Sequence, residues 1–482
     1  MPPAFTASRL VTAALAGLAS LVCLAAGAPT GGPPLSADQA AWRAGSRLGY
    51  APTPASIDAL GAAPQAWALQ QIDLAQAASQ QAAVIAPELA RIAAPMADVA
   101  RDFQAEREAR KLLRLQSGPE EPGKSAASPT GGPLFSREMA QGAAAWRIMA
   151  CSDPALENPL LARMTEFWFN HLNVFAGKGP VRPFVGHYLF HVIRPNALGR
   201  FEDLLLASAR HPAMLLYLDQ AQSSNRGLNE NYARELMELH TLGAGGGYTQ
   251  GDVNALARIL TGWSVNLPGG EGFRFAAQRH DSGAKLFMGQ TYQNGGVQEG
   301  EDAIRFLARQ PATARRVSER LAAFFVADQP PADLVGRLEK TFLDSQGDIG
   351  AVMRTLVASP EFWATGSELF KTPMDFACSA LTATGGAPDR KSIAQALGFL
   401  AQAGQPMHGW QTPDGYSTDA ATWLAPEALT RRADFAMALG QRIAEPVYLN
   451  AFLSSATRQR IAREPVSQRT GLMLASPDFM CK

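Results

Sequence analysis

One stretch constrains this chain more than any other. It runs from Asn229 to Trp263: Asn-Glu-Asn-Tyr-Ala-Arg-Glu-Leu-Met-Glu-Leu-His-Thr-Leu-Gly, a glycine-rich turn, then Tyr-Thr-Gln-Gly-Asp-Val and a segment ending Leu-Thr-Gly-Trp. Asn229 suits an N-cap, because its side-chain oxygen can accept an orphan N–H of the first turn. Glu230 follows where the helix dipole favours an acid. Tyr232, Leu236 and Leu239 share one helical stripe, and Asn231, Arg234, Glu235 and Glu238 share another. Gly243 suits the left-handed residue that closes a helix. Thr249 and Asp252 form a variant capping box for a second helix, apolar at Val253, Leu256, Ala257 and Leu260. The pattern predicts helix, tight turn, helix.

The polar stripe supports two readings. One is a solvated face carrying an Arg234–Glu238 pair. The other is a pair of carboxylates, Glu235 and Glu238, facing a cleft, where two acids can hold a metal or separate their pKa values for acid–base work. A helical wheel turns His240 about 140° away from Glu235, so those two do not make one simple ligand pair.

The flanks follow the same periodicity. Ala37 to Gln116 is helix-rich, with breaks at Pro52, Pro54, Pro64, Pro87 and Pro95. Ser117 to Pro133 has the composition of a flexible linker loop, and helices resume near Ser136. Residues 267–300 are glycine-rich with strand-like pieces at Phe273–Phe275 and Lys285–Met288. From Glu301 onward the pattern is helical again. The expected fold is mainly α: a large multi-helix domain with a small β-hairpin or irregular insertion. The boundaries are a signal peptide over 1–28, an N-terminal helical region over 29–116, the linker over 117–133 and the main helical domain over 134–482, with 37–116 packed onto it as one unit.

Of the 482 residues, 47% are hydrophobic and 18% charged, enough apolar material for a substantial core. Lys+Arg and Asp+Glu number 43 each, which offers no broad basic face for nucleic acid. Arg9 and the apolar run Leu10–Ala26, with small residues over Ala25–Ala28, read as an export signal, so the mature chain is expected in the periplasm or outside the cell. A retained N-terminal anchor is the alternative, and the only route to membrane contact. Cleavage would leave Cys151, Cys378 and Cys481, which form no CxxC pattern and allow at most one intrachain disulfide among themselves.

Other segments carry chemistry-bearing residues. His171 shares a stripe with Met164, Phe167, Trp168, Val174 and Phe175. A histidine among aromatics is commonly a packed core residue, yet a buried titratable group also marks sites. His187 and His191, four apart, could face one metal, although their neighbours read equally as a packed helix. His280-Asp281 lies in a loop on a helical scaffold, where function often resides; the plain alternative is a turn in which Asp281 bonds its own backbone. Trp410, Tyr416 and Trp423 in the 409–423 loop could stack on a sugar or pin the loop to the core. Gly243–Gly247 follows a helix, not a strand, so it is no dinucleotide fingerprint. Walker A, His-Glu-x-x-His and Gly-x-Ser-x-Gly motifs are missing.

Asn229–Gly243, Tyr248-Thr-Gln with Asp252-Val and Leu260-Thr-Gly-Trp263 resemble the signature of the bacterial "domain of unknown function 1800" family. The resemblance extends through Phe167-Trp-Phe-Asn-His171, Ile193-Arg-Pro-Asn-Ala-Leu-Gly199, Pro212–Asp219, His280-Asp281, Ser359-Pro-Glu-Phe362, Gly404-Gln-Pro and Pro413-Asp-Gly-Tyr416. It implies a large, mainly helical, exported bacterial protein and supplies no settled activity. Many relatives carry Trp-His-Asn-His where this chain has Trp168-Phe-Asn-His171, which removes one histidine from any metal site that would use both.

Two kinds of function follow. The first is an envelope enzyme with a polar or metal-assisted site. Glu235, Glu238, His280 and Asp281 would be its acid–base groups, and Arg194, Arg234, Asn231 and Trp263 its substrate contacts. His171, Glu235 and Glu238 would be ligands of a divalent metal. His171 and the two acids would converge on one polar cavity beside Arg234, with His280-Asp281 at its mouth. The second is a non-catalytic envelope protein that binds a partner protein or glycan, its motif residues forming a buried structural network.

Overall fold

Helices begin where the sequence supplies a cap. In the computed structural model, which describes residues 35–116, 134–366, 368–441 and 446–482, Ser36 and Gln39 form a capping box ahead of Ala37–Leu48. Asn158 accepts the Leu161 N–H (3.1 Å) to open Pro159–His171. Proline occupies the first turn of Pro64–Ser79, Pro311–Phe325 and Pro426–Gly440, where its missing N–H costs nothing. Two Ser-Pro-acid-Phe segments also cap: Ser359 accepts from Phe362 N and Ser476 from Phe479 N, both at 3.3 Å. The Leu10–Ala26 run and the Ser117–Pro133 loop lie outside the described residues.

The protein is mainly α with a small β insertion. Strand β1 (Trp263–Asn266) pairs antiparallel with β2 (Gly272–Phe275), Trp263 opposite Phe275. A separate hairpin pairs β3 (Lys285–Phe287) with β4 (Gln290–Tyr292). The insertion starts earlier than residue 267 because Gly262, at φ +84°, turns the chain straight from the second motif helix into β1.

Apolar residues gather in two cores. The larger holds Trp168, Phe184, Tyr188, Phe201, Tyr232 and Trp263 together with Ala44, Leu48, Ile72 and Val99 from the 37–116 region. The smaller is built by the C-terminal helices Pro373–Ala383, Arg390–Gln402, Pro426–Gly440 and Val466–Leu474 around Phe376, Phe399, Phe435 and Phe479. A disulfide, Cys151–Cys378, crosses from the Phe135–Ser152 helix to the Pro373–Ala383 helix. Beside it runs a buried ion network. Arg163 on Pro159–His171 bonds Asp375 and Glu166, Lys482 bonds the other Asp375 oxygen, and Tyr50 donates to Glu166 (2.7 Å). Burial alone would raise the Asp375 carboxyl, but Arg163 and Lys482 overcome it and hold it down at about 2.

The central motif folds differently from a plain α-helix. Its regular part is Asn231–Glu235, with Glu230 at the cap position; Asn229 instead bonds the Asn231 N–H (2.9 Å) from one residue further out. Leu236–His240 is a π-helical turn. Thr241 closes it by donating its hydroxyl to Leu236 O (2.6 Å). A π-turn holds an extra residue, so the inward face rotates: Tyr232, Leu236, Met237 and His240 are buried, and Leu239 is only half-buried. The predicted capping box of the next helix forms as expected, Thr249 Oγ1 accepting from Asp252 N and Asp252 Oδ2 from Thr249 N (2.8 Å).

Candidate functional site

The Pro311–Phe325 helix presents Arg316, Arg320 and Phe324 at successive i, i+4 positions. Phe324 meets Phe167 edge-on (5.4 Å), Phe167 stacks on His171 (6.2 Å), and Arg316 Nε donates to Leu239 O (3.0 Å). That face therefore runs along the end of the Pro159–His171 helix and along the π-turn. Glu235 and Glu238 project from the same motif, both half-buried. Neither makes a hydrogen bond or an ion pair among the described residues. Arg234 bonds Glu230 (3.1 Å) and Gln250 (2.9 Å), not Glu238 as the sequence suggested. The switch from α to π pitch at Leu236 takes Glu238 off the i+4 line.

The opposite wall is the 409–416 loop. Asn170, in the last turn of the Pro159–His171 helix, and Asn173, just beyond its end, clamp it. Asn170 accepts from Tyr416 N (2.6 Å) and donates to Tyr416 O (2.9 Å), as a neighbouring strand would. Asn173 donates to Trp410 O (3.2 Å) and Thr412 O (2.8 Å), and Tyr217 OH to Gln411 O (2.6 Å). Gly415 has φ +75°, and a Cβ there would lie 2.2 Å from Asn170 O, so only glycine allows this approach. The loop carries Asp414, exposed, which Trp410 and Thr412 hold by hydrogen bonds.

The result is a charged seam between the π-turn and the loop, hereafter the groove. Burial pushes the Glu235 carboxyl up, and the negative charges of Glu238 and Asp414 push it further, against Arg234. Burial raises the Tyr217 phenol, as do Glu235 and Asp414. Tyr248 is raised by burial and then by Glu238. Burial, with the like charge of Arg316, lowers the Arg320 guanidinium to about 10, and Asp414 opposes this. Thus Glu235, Glu238, Asp414, Arg316, Arg320, Tyr217 and Tyr248 share one field.

His171 lies behind this groove. Its Nε2 bonds His240 O (3.0 Å), while its Nδ1 and the His240 Nε2 are buried without partners. Burial and then the nearby charges of Arg320 and Arg316 keep His171 neutral; the two carboxylates are not what acts on it. Among the described residues no group of three or more His, Cys, Asp and Glu side chains is placed to hold a metal ion, so His171, Glu235 and Glu238 do not form one. His187 and His191 stack at 4.0 Å, and His187 Nδ1 meets His211 Nε2 at 2.9 Å. His211 Nδ1 accepts the Ala213 N–H (3.1 Å) and so caps a helix, and burial keeps the His187 and His211 imidazoles neutral.

The remaining sequence candidates lie elsewhere. His280 is buried with its Nδ1 on Thr261 O (2.9 Å) and its Nε2 3.3 Å from Glu299, which Lys285 reaches at 2.7 Å. Asp281 takes a forked bond from Arg258 (2.7 and 3.2 Å) and closes its own turn through Gly283 N (2.8 Å). This network knits the hairpin to the Gln250–Ile259 helix, and its contacts include no residue of the groove. Arg194 is spent on Glu157 and on the carbonyls of Gln81 and Ala78. Trp263 is fully buried against Gly300 and Phe273. Asn231 bonds Leu218 O (3.3 Å) at the surface. Of the residues singled out from sequence, the groove gathers Glu235, Glu238 and Arg234. Sequence reading missed Tyr217, Arg316, Arg320 and Asp414, although the i, i+4 arginine pair and the Pro-Asp-Gly turn were visible signals.

A second space lies on the inner side of the same loop, a cavity of about 30 Å³ lined by Arg147, Glu166, Phe169, Met374, His408 and Tyr416 among others. It has room for only a water or two. Phe169 packs there on His408 (4.7 Å), under Arg147 (5.3 Å).

Residues 43–481 match the family described as Protein of unknown function (DUF1800). The chain belongs to this family. No match was found among curated proteins or among solved structures. The family match takes in nearly all of both cores, both hairpins and every residue of the groove.

Proposed function

We propose that this chain is an exported enzyme that performs acid–base chemistry in the groove between the π-turn and the 409–416 loop. One observation carries the proposal: Glu235 and Glu238 are half-buried side by side, and among the described residues neither carboxylate has a direct ion-pair or hydrogen-bond partner. Structural carboxylates are normally paired, as Asp375 and Glu157 are here. Glu235, pushed up by burial and by two acids, suits a proton donor. Glu238 would then accept a proton from water as the donor protonates a leaving group, which makes hydrolysis the simplest reaction for this pair. The chemistry needs no metal. The Cys151–Cys378 disulfide supports an oxidising, extracytoplasmic location, in keeping with the apolar run at Leu10–Ala26.

The test is a panel of chromogenic aryl glycosides, esters and phosphates. At least one should be hydrolysed by the mature chain, and Glu235→Gln or Glu238→Gln should lower that rate about 100-fold or more with the circular dichroism unchanged. Unchanged rates in both variants, or no turnover across the panel, would count against the enzyme. A second reading, glycan binding without catalysis, is favoured by Trp410: half-exposed, 4.8 Å from Tyr416 and bonded to Asp414 on the rim. Glycan-array binding that Trp410→Ala removes and Glu235→Gln leaves intact would support it.

A further inference from the structure

The groove also holds a cation with nothing to do. Most other arginines withdrawn from solvent are committed, Arg163 and Arg194 to carboxylates and Arg43 to backbone carbonyls, while Arg147 lies over an aromatic ring and Arg432, its nitrogens without hydrogen-bond partners, packs on the rings of Phe370 and Phe376. Arg320 is half-buried and has no hydrogen bond, ion pair or ring beneath its guanidinium among the described residues. Arg316, one turn before it, has a carbonyl but no carboxylate partner. Two like charges one turn apart repel, and withdrawing them from water unpaired is unfavourable. Two imidazole nitrogens on the same wall, His171 Nδ1 and His240 Nε2, are buried and also without partners.

We infer that Arg320 and Arg316 form an anion pocket at one end of the groove, which receives a carboxylate carried by the substrate. Two guanidiniums at i, i+4 offer forked donors that match the two oxygens of a carboxylate. Glu235, Glu238 and Asp414 across the groove set the class of ligand. A doubly charged phosphate would be repelled by all three acids, whereas a single carboxylate on a larger polar body can reach the arginines while its uncharged part lies against the acids. An acidic sugar and the C-terminal end of a peptide both carry that chemistry. The inference rests on the groove being a substrate site and adds Arg320 and Arg316 as its specificity-determining residues.

Isothermal titration of the mature chain with glucuronate, dialanine, acetate and inorganic phosphate tests it by binding alone. Glucuronate or dialanine should bind more tightly than acetate or phosphate, and the tighter of the two identifies the source as sugar acid or peptide. Arg320→Gln should weaken that binding about tenfold or more. Arg320→Lys, which keeps the charge and loses the fork, should fall between. Arg315→Gln, on the exposed side of the helix in a pair with Glu319 (3.1 Å), should change nothing. Glu235→Gln should bind at least as tightly as the wild type, because an opposing acid is gone, even where it abolishes turnover. Equal binding by wild type and by an Arg320→Gln protein of unchanged melting temperature would overturn the pocket, as would no carboxylate binding at all. Tighter binding of phosphate would overturn the carboxylate class. In each case the acid–base proposal would stand or fall separately, on the hydrolysis rates of the two glutamate variants.

Discussion

The same two helices, Pro159–His171 and Pro311–Phe325, hold charge in two contrasting ways. Toward one end, Arg163 lies flat on Phe324 (4.4 Å) and is locked to Asp375 and Glu166, with Lys482 and Tyr50 completing the set. A turn or two away, beside His171, Arg320 and Arg316 face Glu235, Glu238 and Asp414 without a direct ion pair among them. The first cluster is almost wholly buried, and in it Arg163 and Lys482 are joined to Asp375 and Glu166 by direct ion pairs. The second is half-open and its charges are held apart. Buried ions are tolerated when they are paired; unpaired ones persist where surrounding structure imposes them, and such places are commonly functional. The difference separates a cluster that fastens the two cores together from the one proposed here to receive a ligand.

The fastening side should break hardest. Replacing Cys151 and Cys378 together with alanine opens a link across a sequence separation of 227 residues. Loop entropy alone puts the loss at about 5 kcal/mol, readable by denaturant unfolding, and a loss under about 1 kcal/mol would mean the two cores hold together without it. Asp375→Asn should come next, costing about 3–5 kcal/mol because it leaves Arg163 and Lys482 buried with one charge fewer. Its pH dependence has a definite sign. The folded-state value of Asp375 is held below the ordinary carboxylate range, so its stabilisation is complete above about pH 4 and is lost as pH falls toward about 2. The variant should lack that part of the acid limb, and the stability difference should shrink as pH drops.

The sequence carried the helical scaffold well because caps, prolines and apolar periodicity are local signals. Thr249 caps as the sequence predicts, and Ser36, Asn158 and Ser359 cap in the same way, whereas Asn229 bonds from one residue outside the cap position. The strand pieces predicted at Phe273–Phe275 and Lys285–Met288 were equally legible, being short β-prone runs in a glycine-rich stretch, and they fall on β2 and β3. The site was legible only in part. Glu235 and Glu238 stood out as acids one turn apart. Their neighbours Tyr217, Arg316, Arg320 and Asp414 come from distant segments, and no periodicity relates those segments to one another. The α-helical wheel also misled at Leu239 and Glu238, because nothing local announces that the helix changes pitch at Leu236. His280-Asp281 and Arg194 looked functional for the same reason that they are structural here: a charge set in an apolar stretch must find a partner, and theirs are Glu299, Arg258 and Glu157.

The effect on the open side should be small and opposite in sign. Glu235 is raised in the folded chain, so its contribution to stability is complete below the ordinary carboxylate range and is lost as pH rises through its folded value. Where Glu235 is ionised, its charge beside Glu238 works against folding. The most direct test is the melting temperature of Glu235→Gln/Glu238→Gln beside the wild type at pH 7 and at pH 4. The expected result is a variant at least as stable at pH 7, higher by a degree or so on the order of a surface-charge relief, with the gap closing at pH 4. A fall of several degrees at pH 7, like that expected of Asp375→Asn, would show that these carboxylates fasten the fold, and would contradict the division between the two clusters.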